Sequence, residues 1–77
     1  MSVQSQFNKH AIDLMPKVRT AINFTLSQGK DFEANQMICF SLQEINNFIT
    51  PLSEMNEEEI ESASNALLRN FKEKGWL

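Results

Sequence analysis

Residues 56–77 read Asn-Glu-Glu-Glu-Ile-Glu-Ser-Ala-Ser-Asn-Ala-Leu-Leu-Arg-Asn-Phe-Lys-Glu-Lys-Gly-Trp-Leu, and this stretch decides the fold class. Asn56 followed three residues later by Glu59 is a variant of the capping box, in which the N-cap side chain and the N3 carboxylate each bond the other's backbone amide. Glu57, Glu58 and Glu59 fall in the first turn, where the helix dipole favours negative charge, and Arg69, Lys72 and Lys74 fall near the last, where it favours positive charge. Gly75 suits the left-handed C′ position, with Trp76 at C″ placed to pack on Phe71 at C3, as in a Schellman ending. Between these ends Ile60, Ala63, Leu67 and Phe71 make a narrow apolar stripe at helical spacing, with Leu68 on its flank. Both ends and one face of a helix are therefore specified locally.

The same period runs upstream. From about Gln4 to Gln28, residues Phe7, Ala11, Leu14, Met15, Val18, Ile22 and Leu26 share one stripe at about 100° per residue. Pro16 interrupts it, because proline lacks the amide donor and disfavours helical geometry at Met15. Either one helix kinks there, or one helix ends near Met15 and another begins with Pro16 in its first turn. The stripe keeps its phase across Pro16, which favours the kinked or barely broken helix. Gly29 is the expected C′ terminator. A second helix then starts with Asp31 as N-cap and shows a broad apolar face of Ala34, Met37, Ile38, Ser41, Leu42, Ile45, Phe48 and Ile49. Thr50 is pushed out of helical geometry by Pro51, so this helix ends near Ile49. No segment alternates like a strand. The expected fold is an all-α bundle of three main helices, with the first kinked or split at Pro16 and neighbours antiparallel.

The composition bounds the function. The chain has 77 residues, 42% of them hydrophobic, with six Phe and one Trp. That describes one small helical domain over residues 1–77, short of the usual ~100–200. A single core of this size rarely nets more than about 3–5 kcal/mol, and chains this small often gain the rest by oligomerising or docking on a partner. One cysteine, Cys39, allows no internal disulfide, and with His10 it falls short of the four ligands of structural zinc. No apolar run approaches the ~18 residues of a spanning helix, and Met1–Ile12 has no apolar signal core. A cytoplasmic protein with no membrane partner is expected, and Asn23-Phe24-Thr25 is then a chance glycosylation match. Net charge is −3, divided as +1 over residues 1–33 and −4 over residues 34–77. A nucleic-acid binder normally shows a basic face.

Phe24 and Phe40 are the candidate binding residues. On the first helix Phe24 lies about 160–180° from the Phe7–Ile22 stripe, and on the second Phe40 lies roughly opposite Ile38, Leu42 and Ile45. Each ring should face water, and in a hairpin about Gly29 the two could form one exposed patch. Exposed aromatic patches mark interfaces, so Phe24 and Phe40 with neighbours Thr20 and Asn47 are expected to meet another protein or a second copy in a homodimer. The competing reading is that the N-terminal segment or Trp76 covers both rings within one chain.

Other features point to structure. Glu57, Glu58, Glu59 and Glu61 suit a dipole-matched helix start and lack the loop pattern of a calcium site. Cys39 has no basic neighbour to activate it and reads as a small buried hydrophobe at the edge of the second apolar face. His10 reads as a solvated surface residue. Gly29 and Gly75 are too far apart for a phosphate-cradling loop. No catalytic residue, metal or cofactor is expected, and adaptor, inhibitor or regulator roles fit.

The run Ala66-Leu67-Leu68-Arg69-Asn70-Phe71-Lys72-Glu73-Lys74-Gly75-Trp76-Leu77 resembles the end of a winged-helix recognition helix, where a leucine-spaced helix runs into a Lys-Gly-aromatic step. The resemblance covers about a dozen residues and implies, as the alternative function, a helix-turn-helix or degenerate winged-helix DNA-binding regulator. With Leu77 as the last residue, no wing is expected. Against DNA contact, glutamates occupy the start of the would-be recognition helix, where phosphates repel them. If the resemblance reflects descent, the scaffold without DNA contact is the part expected to survive. Random duplex DNA is accordingly expected to show no salt-dependent gel shift at micromolar protein. Such a shift at low salt would favour the regulator.

Overall fold

The computed structural model describes residues 11–77. Phe7 and His10, singled out above, lie outside the described residues. The described residues contain helices and no strand: α1 spans Pro16–Ser27, α2 spans Asp31–Asn46, a 3-10 turn spans Leu52–Glu54, and α3 spans Glu57–Glu73. The three main helices all pack on one another, which makes a small all-α bundle.

Pro16 splits the first stripe. Residues 11–13 are helical, but Met15 leaves helical geometry at φ −119° and ψ 78°, and Pro16 opens α1 at its first turn. The ring disfavours helical geometry at Met15, and at the first helical position its missing donor costs nothing. Two short backbone bonds close the preceding turn, Leu14 N to Ala11 O at 3.2 Å and Met15 N to Ile12 O at 2.9 Å. The expectation of a barely broken helix is thus corrected to two. The inward face of α1 is Val18, Ile22 and Thr25, while Leu26, expected in the stripe, is exposed.

Gly29 ends α1 as expected, at φ 76°. Gly29 N bonds Leu26 O at 3.0 Å and Lys30 N bonds Thr25 O at 3.3 Å, the two bonds of a Schellman motif. Lys30 carbonyl then accepts from Ala34 N at 3.0 Å. One residue closes a helix and opens the next, so Lys30 is the N-cap of α2 and Asp31 is its first helical residue, with no side-chain cap. The Asp31 cap is corrected on that ground. Its charge still lies in the first turn, where it is favoured. α2 also stops earlier than expected, at Asn46, with Asn47 as C-cap. Phe48 and Ile49 belong to the connector, and Ile49 is fully exposed.

α3 follows its sequence closely. Asn56 Oδ1 accepts from Glu59 N at 2.8 Å, and Glu59 Oε1 accepts from Asn56 N at 3.2 Å, so both halves of the capping box form. At the other end Gly75 has φ 81°, Gly75 N bonds Lys72 O at 3.1 Å and Trp76 N bonds Phe71 O at 3.0 Å.

The core is one cluster: Ala11, Ile12, Met15, Val18, Ile22, Ala34, Met37, Leu52, Leu67 and Phe71. Each main helix also buries one hydroxyl, Thr25, Ser41 or Ser64. Each donates to the carbonyl one turn back, Thr25 to Ala21 O at 3.0 Å, Ser41 to Met37 O at 2.7 Å and Ser64 to Ile60 O at 2.7 Å. These polar atoms enter the interior already paired, which removes the cost of burying them bare.

Asn56→Ala removes half of the capping box while leaving every core contact. It should cost about 1 kcal/mol, lowering the melting midpoint followed by circular dichroism by about 4–8 °C for a domain of this size, with the helical signal at low temperature unchanged.

Candidate functional site

The surface around Phe24 follows from the phase of α1. With Val18, Ile22 and Thr25 turned inward, Phe24 points about a third of a turn away and keeps 56% of its surface exposed. It borders a shallow depression between α1 and α3 lined by Pro16, Lys17, Thr20, Ala21, Phe24 and Leu68. The floor is apolar, and Thr20 supplies a hydroxyl and a methyl. Lys17 also reaches across to Glu61 of α3, Nζ to Oε1 at 2.9 Å, with both side chains more than half exposed. Such a pair contributes about 0–1 kcal/mol, yet it holds the ammonium toward α3. Phe24 and Thr20 are thus brought together.

Phe40 is not part of this surface. Its ring is half-buried and meets Phe71 edge-on at 6.2 Å and Trp76 edge-on at 6.0 Å, while Phe71 and Trp76 lie 5.9 Å apart. Lys74 Nζ sits 4.8 Å from the Phe40 centroid and 5.6 Å from the Trp76 centroid, within cation–π range. The expectation that Phe40 faces water is corrected here. Its cause is the true centre of the α2 face, which is Ala34, Met37 and Ser41 rather than the larger Ile38, Leu42 and Ile45. Relative to that centre Phe40 is about a quarter turn away, on the flank that α3 covers. The same recentring puts Cys39 on the outer side, and it is a free, exposed thiol where a buried one was expected. Asn47, the fourth predicted residue, is exposed at the C-cap of α2 and lines neither the Phe24 depression nor the Phe40 cluster.

Besides Leu26, the most exposed apolar residues that the sequence pattern did not reveal are Phe32 and Ile49. Phe32, in the first turn of α2, is 71% exposed, and Ile49 is fully so. Phe32 lies opposite Met37 and Ser41 on the helical wheel, so a correctly centred wheel would have found it. For Ile49 the available signal was Asn46-Asn47, since asparagine favours helix ends.

Among the described residues no three His, Cys, Asp or Glu side chains converge on one point, and no helix is long and apolar enough to cross a membrane. Comparison of the chain with protein-family models, with curated proteins and with solved structures gives no match.

The two aromatic positions should respond oppositely to charge. Phe40→Asp places a carboxylate against Phe71 and Trp76 and should lose about 2 kcal/mol in urea unfolding, from lost aromatic pairs and apolar contact at a half-buried position. Phe24→Asp should stay within about 0.5 kcal/mol of wild type, as surface substitutions do.

Proposed function

We propose that the protein is a small cytoplasmic protein–protein interaction module, an adaptor, inhibitor or regulator without catalytic activity, that docks on another protein or on a second copy of itself. The observation that supports this reading is Phe24, a large aromatic more than half exposed beside an apolar depression with Thr20 and Leu68. Covering such a ring removes apolar area from water at about 25 cal/mol per Å², and a chain with so small a core gains proportionately from it. Phe40 contributes indirectly in this reading, by holding α2 and α3 together, and Asn47 lies outside the contact.

Light scattering on the purified chain tests it. Self-association predicts a mass above 8.9 kDa that Phe24→Asp with Thr20→Arg returns to the monomer value while the circular dichroism spectrum stays helical. If the chain instead docks on a different protein, the same pair abolishes that protein's capture from the native host. A monomeric wild type whose captured proteins are unchanged by both substitutions would overturn the reading.

A further inference from the structure

A second apolar surface lies where the break before Pro16 faces the connector between α2 and α3. One depression of about 260 Å³ is lined chiefly by Leu14, Ile45, Phe48, Ile49 and Leu52. Another is lined by Leu14, Pro16, Lys17, Glu57, Ile60, Glu61 and Ser64. Leu14 lines both, so the two adjoin across its side chain, and together they make a trough with two lobes, one at the end of α2 and one at the start of α3. Fully exposed Ile49 stands on its wall.

Carboxylates outnumber bases in the lining of the trough, with Glu57 and Glu61 against Lys17. From Asp31 to Leu68 the chain has eight carboxylates and no Lys, Arg or His. Glu57 and Glu61 line the trough, and Glu54 follows Ser53, which also lines it. The single base in the lining, Lys17, is engaged by Glu61 at 2.9 Å. Glu57 is left without a cation among the ion pairs of the described residues.

We propose that this trough docks a segment of a partner protein that carries apolar anchors flanked by lysine or arginine. The apolar walls take the anchors, and the carboxylate of Glu57, joined by that of Glu61 when a partner's cation displaces Lys17, meets the flanking cations, which gives selection by sign as well as by shape. A second copy of this chain is disfavoured as occupant because it brings the same carboxylates and a net charge of −3, and nucleic acid is repelled for the same reason. The proposal shares with the preceding reading only the premise that the protein works by binding. It uses a different face and stands if the Phe24 surface fails.

The test is titration of the isotopically labelled full chain with two synthetic amphipathic peptides of equal apolar spacing, one Leu/Lys and one Leu/Glu, followed by amide chemical shifts. The Leu/Lys peptide should shift Leu14, Ile45, Ile49, Leu52, Glu57 and Ile60, the Leu/Glu peptide should not, and added salt should weaken the effect. Ile49→Ser with Glu57→Gln should weaken binding by about tenfold or more, whereas Phe24→Asp should leave it unchanged. Equal response to both peptides, shifts confined elsewhere, or indifference to the trough substitutions would overturn the proposal. So would concentration-dependent shifts of the same amides without peptide, which mean a second copy, or nuclear Overhauser contacts from residues 1–10 to Ile49 and Leu52, which mean that the chain fills its own trough.

Discussion

The packing of Phe71 is the contact on which the rest of the structure depends. Its ring is wholly enclosed, with Phe40 of α2 on one side and Trp76 on another. Its carbonyl also accepts the Trp76 amide that closes α3. The ending of the last helix and the docking of that helix on α2 are therefore one arrangement. Emptying such a site typically costs about 3–5 kcal/mol, as much as a core of this size nets. Lys74, itself exposed, completes the cluster by placing its ammonium over the Phe40 and Trp76 rings.

Close approach of the helices follows from small residues at their centres. Ala34 and Ser41 flank Met37 on α2, Thr25 lies on α1 and Ser64 on α3. Each hydroxyl bonds its own helix, so the faces behave as apolar although their residues are classed as polar. A face made of small residues carries little weight in a reading by hydrophobic size. The larger Ile38, Leu42 and Ile45 drew the apparent centre of α2 away from its true one, and from that shift came the misplacement of both Phe40 and Cys39.

The surface carries what the core leaves over. Phe24, Phe32 and Ile49 lie exposed on different segments, and the apolar trough beside Ile49 has more carboxylates than bases in its lining. For a chain near the lower limit of independent stability, covered apolar area supports both binding and folding. The acidic stretch belongs first to the architecture, since Glu57, Glu58 and Glu59 complement the dipole of α3, and the field it creates outside the helix is a consequence.

The amino-acid sequence by itself determined the helical class, both ends of α3, the termination of α1 at Gly29 and the exposure of Phe24. The helix ends rest on hydrogen bonds between residues no more than about five positions apart, so nothing distant was needed to read them. Phe24 was legible because its displacement from the inward face of α1 is large enough to survive an error in locating that face. The break at Pro16, the Lys30 cap and the end of α2 before Ile49 also follow from local signals, the proline ring, the Gly29 turn and Asn46-Asn47, which the phase of the larger apolar residues masked. Tertiary structure alone decided that Phe40 turns toward Trp76 and that Ala34, Met37 and Ser41 are the inward centre of α2. These outcomes depend on how closely whole helices approach and on which neighbour covers a flank, and a pattern of residues along one helix contains no term for its neighbours.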